Sequence, residues 1–380
     1  MMWFFWMAIW VFWLAAALIA YTYAGYAAWL WLRARVRPWP VRRGHHQPSV
    51  SILMAVRNEE LVLPQKLRNL FELDYPGELR QIVVASDGST DRTEAILREH
   101  SGDSRFCAVL SQLSEGKASS LNHGLEMCQG EVVLFTDARQ KIEPGALRLL
   151  VENFADPEVG AVSGELMLGD PAHGEKEHGV GLYWRIEKGI RELESASGSV
   201  VGATGALYAV RRELVTPLPE GTILDDVYIP MQVVRQGKRV VFDGRARAWD
   251  RPSVDQGREF SRKVRTLSGN YQLLQLAPWL LSSSNPIRFE YVSHKLLRLT
   301  VPFALLAMLV SAALVPQTLY RVLLIAQLSF YALALLGLSP VKIGLLKRLG
   351  DTALTFVVLN TAAAVAFANF VLGRKVAWTR

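Results

Sequence analysis

The chain has 380 residues, 51% of them hydrophobic, and a formal net charge of +7. That length leaves room for one large α/β domain and several membrane spans, with the apolar residues gathered at both ends and the charges in the middle. The basic excess carries no basic-aromatic binding motif, which argues against a nucleic-acid partner. The two cysteines, Cys107 and Cys128, lack metal-ligand spacing and are expected as thiols in a cytoplasmic domain.

In chain order, residues 2–32 contain no charged side chain. A bilayer core asks for about 20 apolar residues in a helix, so this run predicts a membrane span. A cleaved signal or a surface-lying helix is the alternative, but the run is too long for a signal core and has no basic residue before it. Trp3, Trp6, Trp10 and Trp13 near one end and Trp29 and Trp31 near the other suit aromatic belts. Arg33, Arg35, Arg37, Arg42 and Arg43 follow, and the positive-inside tendency places them, and the domain after them, in the cytoplasm. Pro38, Pro40, Gly44 and Pro48 mark a linker.

Short apolar runs then alternate with helical stretches. Strands are predicted at Val50–Val56, Gln81–Ala85, Phe106–Leu110 and Val132–Phe135, and helices at Glu59–Leu70, Asp91–His100, Lys117–Cys128 and Pro144–Phe154. This alternation predicts an α/β domain with a mainly parallel sheet covered on both faces. Ligands of such sheets bind beyond the carboxyl ends of the strands. Three more apolar runs, at about 297–315, 319–338 and 352–373, predict further spans, with Val315-Pro316-Gln317-Thr318 as a tight break and Arg321 snorkelling beside it. Lys342, Lys347 and Arg348 lie between the last two. Four spans leave the tail, with Arg374, Lys375 and Arg380, on the far side of an integral plasma- or inner-membrane protein. The expected organisation is a membrane helix over 1–33, a linker over 34–48, a cytoplasmic domain over 49–270, an interfacial segment over 271–296, about three membrane helices over 297–373 and a tail over 374–380.

Polar residues gather at the expected strand ends. Asp87-Gly88-Ser89-Thr90-Asp91 supplies a turn and a helix cap, yet Asp87 is not needed for capping and can accept hydrogen bonds from a base or ribose. Glu115-Gly116-Lys117 puts a lysine at a helix start, where it can meet a diphosphate or stay solvated. Asp137 directly follows an apolar strand, suited to ribose, metal or capping. The segment Gly202-Ala203-Thr204-Gly205 allows close backbone approach or a packed turn. Asp225 and Asp226 are adjacent acids, one of which can have a raised pKa and act as a general base; an acidic helix start is the alternative. Arg258, Arg262, Lys263 and Arg265 share a helix before the membrane and can hold phosphates or face anionic lipid.

Together these segments resemble glycosyltransferase family 2, in particular the membrane-integrated branch with cellulose, hyaluronan and poly-N-acetylglucosamine synthases. The likeness covers about residues 48–270 in the family's order. Ser51–Glu60 is similar to the opening strand and Asn-Glu turn, which implies donor-side roles for Arg57 and Glu59. Asp87 matches the acid on the nucleobase, Lys117 the lysine near the diphosphate, and Asp137 the first acid of Asp-x-Asp. Asp225-Asp226 matches the Glu-Asp of Thr-Glu-Asp, which makes Asp226 the implied catalytic base beside Asp225. Arg262-Lys263-Val264-Arg265-Thr266 sits where the family has Gln-x-x-Arg-Trp.

The resemblance implies a GT-A nucleotide-binding domain and an inverting transfer from a nucleotide sugar of the uridine diphosphate type. It implies donor contacts from Arg57, Glu59, Asp87, Lys117, Asp137, Arg139, Arg262 and Arg265, and acceptor contacts from Gly202, Thr204 and Gly205. It also implies a divalent cation, magnesium or manganese, on Asp137. Arg139 replaces the second acid of Asp-x-Asp; either it lends charge to the diphosphate, or it turns away and the metal binds through Asp137, phosphates and water. Thr266 replaces the tryptophan of processive synthases, which counts against long-chain synthesis. A polysaccharide synthase is the first expectation. Single-sugar transfer to a lipid carrier, a non-catalytic nucleotide-sugar-binding protein and a transporter are the others.

Overall fold

The computed structural model describes residues 2–169, 182–251, 256–339 and 344–374. Lys342, Lys375 and Arg380, and the side chain of Arg258, lie outside the described residues.

Among the described residues, the α/β domain is built on eight strands: β1 (Val50–Val56), β2 (Arg80–Asp87), β3 (Phe106–Ser111), β4 (Val132–Phe135), β5 (Lys141–Ile142), β6 (Val159–Leu168), β7 (Tyr208–Arg211) and β8 (Arg239–Asp250). They form one sheet in the order β3-β2-β1-β4-β7-β6-β8-β5. Strands β1 to β4 pair in parallel, β6 pairs in parallel with β8, and β7 and β5 are antiparallel to their neighbours. The sheet is mixed, and its parallel half is the part legible from the repeating pattern.

The helices are α1 (Met2–Ala20), α2 (Tyr26–Val36), α3 (Leu63–Phe71), α4 (Thr93–Glu99), α5 (Lys117–Glu126), α6 (Ala146–Val151), α7 (Leu182–Ser197), α8 (Asp225–Arg235), α9 (Gln256–Leu276), α10 (Arg288–Tyr291), α11 (Leu297–Leu314), α12 (Thr318–Gly337) and α13 (Gly344–Val371). Every residue of β1 is buried. Because alternate side chains of a strand point to opposite faces, Ile52 and Met54 join the core with Leu63, Leu67 and Leu70 of α3, while Leu53 and Ala55 join Ala118 and Leu121 of α5. Fully burying one such Leu is worth about 1.5–3 kcal/mol, so both helices are clamped on the sheet.

Helix α3 starts at Leu63 rather than Glu59 because residues 57–60 are spent on a turn. Asn58 sits there at φ 51, a left-handed conformation that Asn tolerates better than most side chains. Pro64 then suits the first helical turn, where its missing N–H costs nothing.

Among the described residues, four helices are long and apolar enough to cross a membrane: Trp3–Val36, Arg288–Leu314, Thr318–Gly337 and Gly344–Val371. The first runs past residue 33, and the second begins well before 297, within the segment expected to lie at the interface. Their outward surfaces carry exposed Trp3, Trp6, Trp10, Leu14, Leu306 and Ile325, the side chains that a lipid phase would cover. Trp13 Nε1 donates to Tyr320 Oη at 3.0 Å, linking the first and third spans.

Polar groups tie these helices to the soluble domain. Tyr26 Oη donates to Glu194 Oε1 of α7 at 2.6 Å, and Arg33 pairs with Glu290. His294 faces Glu194 through Nδ1 at 2.9 Å and Glu187 through Nε2 at 3.1 Å. This buried ring thus has a carboxylate against each of its nitrogens. The domain is thus joined to the membrane helices through a charged seam of which nearly every member is paired, as burial of charge requires.

Candidate active site

The turns after β1 and β2 are laced together. Asn58 Oδ1 accepts from the Thr90 backbone N–H at 2.7 Å, and Glu59 N–H donates to Thr93 Oγ1 at 2.8 Å. This fixes the rim that carries Arg57 and Glu59.

Asp87, at the end of β2, is fully buried. Its Oδ1 accepts from the backbone N–H groups of Glu115 and Gly116 at 2.7 and 3.0 Å, and its Oδ2 accepts from Ser114 Oγ at 2.8 Å. Held by three donors of the 114–116 loop, Asp87 acts as the clamp that sets where α5 begins. Gly88 allows that approach: it sits at φ +59, and a Cβ there would lie 2.7 Å from Ser114 N.

The clamp aims Lys117, the first residue of α5. Its Nζ lies 3.0 Å from Asp137 Oδ1, beyond β4, and 3.1 Å from Asp225 Oδ1, at the start of α8. Burial alone would lower the Lys117 pKa, but Asp137 and Asp225 outweigh it and hold the ammonium charged. Asp226 lies beside them. Burial, then the charge of Asp225, pushes its carboxyl up to about 6, against the pull of Lys117 and Lys295. Arg265 of α9 completes the group. Burial lowers its pKa while Asp225, Asp137 and Asp226 favour its charge, and its buried Nε finds no hydrogen-bond partner among the described residues. A buried guanidinium donor without an acceptor costs free energy unless a ligand supplies one.

The small-residue segment packs directly on this group. Ala203 N–H donates to the Asp226 carbonyl at 2.6 Å. A Cβ on Gly205 would lie 3.2 Å from Asp226 Oδ2, close enough to crowd that carboxylate. Thr204 Oγ1 accepts from Arg191 of α7.

Lys117, Asp137, Asp225, Asp226 and Arg265 are therefore brought together, with Gly202, Thr204 and Gly205 against Asp226. Arg262 stands exposed on α9. Arg139 does not join the group: its guanidinium reaches Asp250 Oδ1 at 3.3 Å, at the end of β8, where Gln140 also donates to Asp250 Oδ2 at 3.0 Å. An arginine already neutralised by Asp250 is poorly placed to stand in for metal charge.

Two contributors escape the motif reading. Lys66 is buried in α3, its Nζ donating to Thr136 Oγ1 at 2.9 Å and the Gln140 carbonyl at 2.7 Å. Thr136 Oγ1 donates in turn to the Ala206 carbonyl at 2.8 Å, so one lysine braces the Asp137 loop against the Gly205 loop. Burial pushes its pKa down to about 7. The signal was a lysine inside the apolar stripe Leu63-Leu67-Leu70. The other is Arg191 with Glu187, 3.4 Å apart, on a helix that no motif marked.

A family model described as Glycosyl transferase family 2 matches residues 51–216. The chain carries a glycosyl transferase family 2 domain. It is 25% identical over 235 residues to a poly-beta-1,6-N-acetyl-D-glucosamine synthase of Staphylococcus aureus, covering 60% of this chain and 55% of that protein. It is 28% identical over 192 residues to a beta-monoglucosyldiacylglycerol synthase of Synechocystis, covering 49% of this chain and 40% of that protein. The chain thus spans about half the length of the curated relatives it matches. Among solved structures it is similar to a mannosyltransferase from Pyrobaculum calidifontis in complex with GDP-Man and Mn2+. The TM-score is 0.73 at 23% identity, over 96% of this chain and 100% of that one. That likeness shows the GT-A fold.

Proposed function

We propose that this protein is a membrane-bound inverting glycosyltransferase, moving a sugar from a nucleotide sugar to a growing polysaccharide. The observation that supports it most is the grouping of Lys117, Asp137, Asp225, Asp226 and Arg265 at one strand-end site. A nucleotide-sugar transferase needs cations for a leaving diphosphate and a base for the acceptor hydroxyl, side by side.

In this reading Asp226 takes the proton from an acceptor hydroxyl as that oxygen attacks the anomeric carbon. An environment that raises its pKa to about 6 leaves it ionised at neutral pH yet more basic than an ordinary carboxylate. The bond from the anomeric carbon to the diphosphate breaks, and Lys117 and Arg265 stabilise the charge that develops there. Asp225 balances Lys117 and keeps it in place.

The mannosyltransferase that this chain's fold is similar to was solved with Mn2+, and one carboxylate plus donor phosphates and water is a set that such hard cations accept. Asp137, 40% exposed at its side chain, is the residue that would hold the ion, which would add charge stabilisation at the leaving diphosphate. The flanking Arg33 to Arg43 cluster supports a cytoplasmic site.

A second reading, transfer of one sugar to a lipid acceptor, draws support from Thr266 at the family's tryptophan position. Membranes incubated with a panel of radiolabelled nucleotide sugars, followed by product sizing, test both. A long polymer supports the first and a single-sugar glycolipid the second. No labelled product with any donor, or near-normal turnover in Asp226→Asn, defeats the assignment.

A further inference from the structure

Tyr208 stands on β7 opposite Phe135 of β4 and Ser163 of β6, on the side of the sheet that α5 and α8 cover. Its ring stacks on Phe135, with centroids 4.7 Å apart and planes 7° from parallel. Two residues after Phe135 comes Asp137, and Thr136 between them donates to the Ala206 carbonyl at 2.8 Å. Strand pairing and stacking thus fix the phenol next to the Asp137 loop.

Tyr208 is fully buried, and its Oη has no hydrogen-bond partner among the described residues. Burial, then the charges of Asp225, Asp226 and Asp137, raises its pKa well above the ordinary phenol value. The hydroxyl therefore keeps its proton. A buried donor near three carboxylates, bonded to none, costs free energy unless a second state of the site uses it.

Asp225 provides such a state. It is buried, and among the described residues its ion-pair partner is Lys117, at 3.1 Å. The same ammonium lies 3.0 Å from Asp137. A diphosphate that drew Lys117 away would leave Asp225 charged, buried and unpaired, a costly arrangement. We propose that Tyr208 is a positioning residue: when Lys117 turns to the donor diphosphate, the Asp225 carboxylate accepts the Tyr208 O–H in its place. This rests on the transferase reading, in which Lys117 meets the diphosphate. The exchange moves one hydrogen bond and transfers no proton. It holds the start of α8, and with it Asp226, while the lysine is redirected. Of the other cations, Lys295 acts on Asp226. Arg265 also feels Asp225 and has an unpaired Nε, but its five N–H donors suit a diphosphate, whereas the enclosed phenol has a single donor.

The test uses the full chain in detergent with magnesium chloride. Thermal midpoints are read without donor, and donor Kd is read by calorimetry with UDP-glucose, UDP-N-acetylglucosamine and GDP-mannose as probes. Without donor, Tyr208→Phe is expected to melt no lower than wild type, because it removes a donor that was bonded to nothing. In a Lys117→Met background, where Asp225 has lost its cation, Tyr208→Phe is expected to lower the midpoint by several degrees. With donor, Tyr208→Phe is expected to weaken Kd by roughly tenfold to a hundredfold, the worth of a hydrogen bond to a charged group. The donor measurement needs only the single variant, so it decides even where Lys117→Met does not fold. Equal loss of midpoint in both backgrounds would mark a merely structural tyrosine and overturn the hand-over. A loss in the Lys117→Met background that follows Arg265→Gln and not Tyr208→Phe overturns it as well. Donor bound equally by wild type and Tyr208→Phe removes the hand-over and leaves the transferase reading standing. No probe bound by wild type removes the transferase reading; the donor-free cycle then keeps the Tyr208–Asp225 coupling if the two changes interact and removes it if they do not.

Discussion

Lys66→Met is the sharpest probe of how the site is held. The substitution keeps an unbranched chain of similar length but removes both donors of the Nζ group. The Gln140 carbonyl loses its 2.7 Å partner and Thr136 Oγ1 its 2.9 Å partner. A buried acceptor left without a donor costs about 1–3 kcal/mol, so a loss of roughly 2–4 kcal/mol is expected after the thioether's apolar gain. At about 2–4 °C per kcal/mol for a domain of this size, melting of the detergent-solubilised protein should fall by several degrees. The loss should also depend on pH. Burial lowers the Lys66 pKa from 10.5 to about 7, so between those values the unfolded chain binds more protons than the folded one. Wild-type stability then rises with pH across that window, and the variant lacks the rise. The gap between the two melting curves should widen from about pH 7 to about pH 9. In assay, the freed Asp137 loop should raise the donor KM more than it lowers kcat. Equal melting of variant and wild type, with a gap that ignores pH, would refute the brace.

Three further outcomes are expected. The acid limb of the kcat profile should bend near 6, the value to which Asp226 is pushed, with rate lost below it. Asp225→Asn removes the like charge and should move the bend to lower pH, and a bend that stays put would separate the two acids. Gly205→Ala places a Cβ against Asp226 Oδ2 at 3.2 Å. Crowding of this kind typically costs about 1–3 kcal/mol, and the displaced carboxylate should cut kcat by roughly tenfold; unchanged kcat would show that Asp226 has slack. Arg139→Ala breaks only a half-exposed pair with Asp250, worth about 0–1 kcal/mol. Its donor KM should therefore move far less than in Lys117→Ala, and an equal rise would return Arg139 to the diphosphate.

The sequence by itself determined the four apolar runs, the βα alternation through Phe154 and the residue types at the strand ends, because each is a local signal. Length and lack of charge mark a span, and a buried parallel strand reads as an unbroken apolar run such as Val50–Val56. Strands β5 to β8 were not legible. Tyr208–Arg211 is only four residues long, and its place between β4 and β6 is set by antiparallel pairing across distant sequence. Only the tertiary structure decided what each polar residue does. Asp87 and Asp137 look alike as acids after apolar strands, yet one holds the 114–116 loop and the other reaches Lys117. Arg139 and Arg265 both carry permanent charge, but Asp250 neutralises the first while the second keeps a buried donor without an acceptor. Roles of this kind depend on which partner lies within about 3 Å, and that is fixed by how the strands and helices pack.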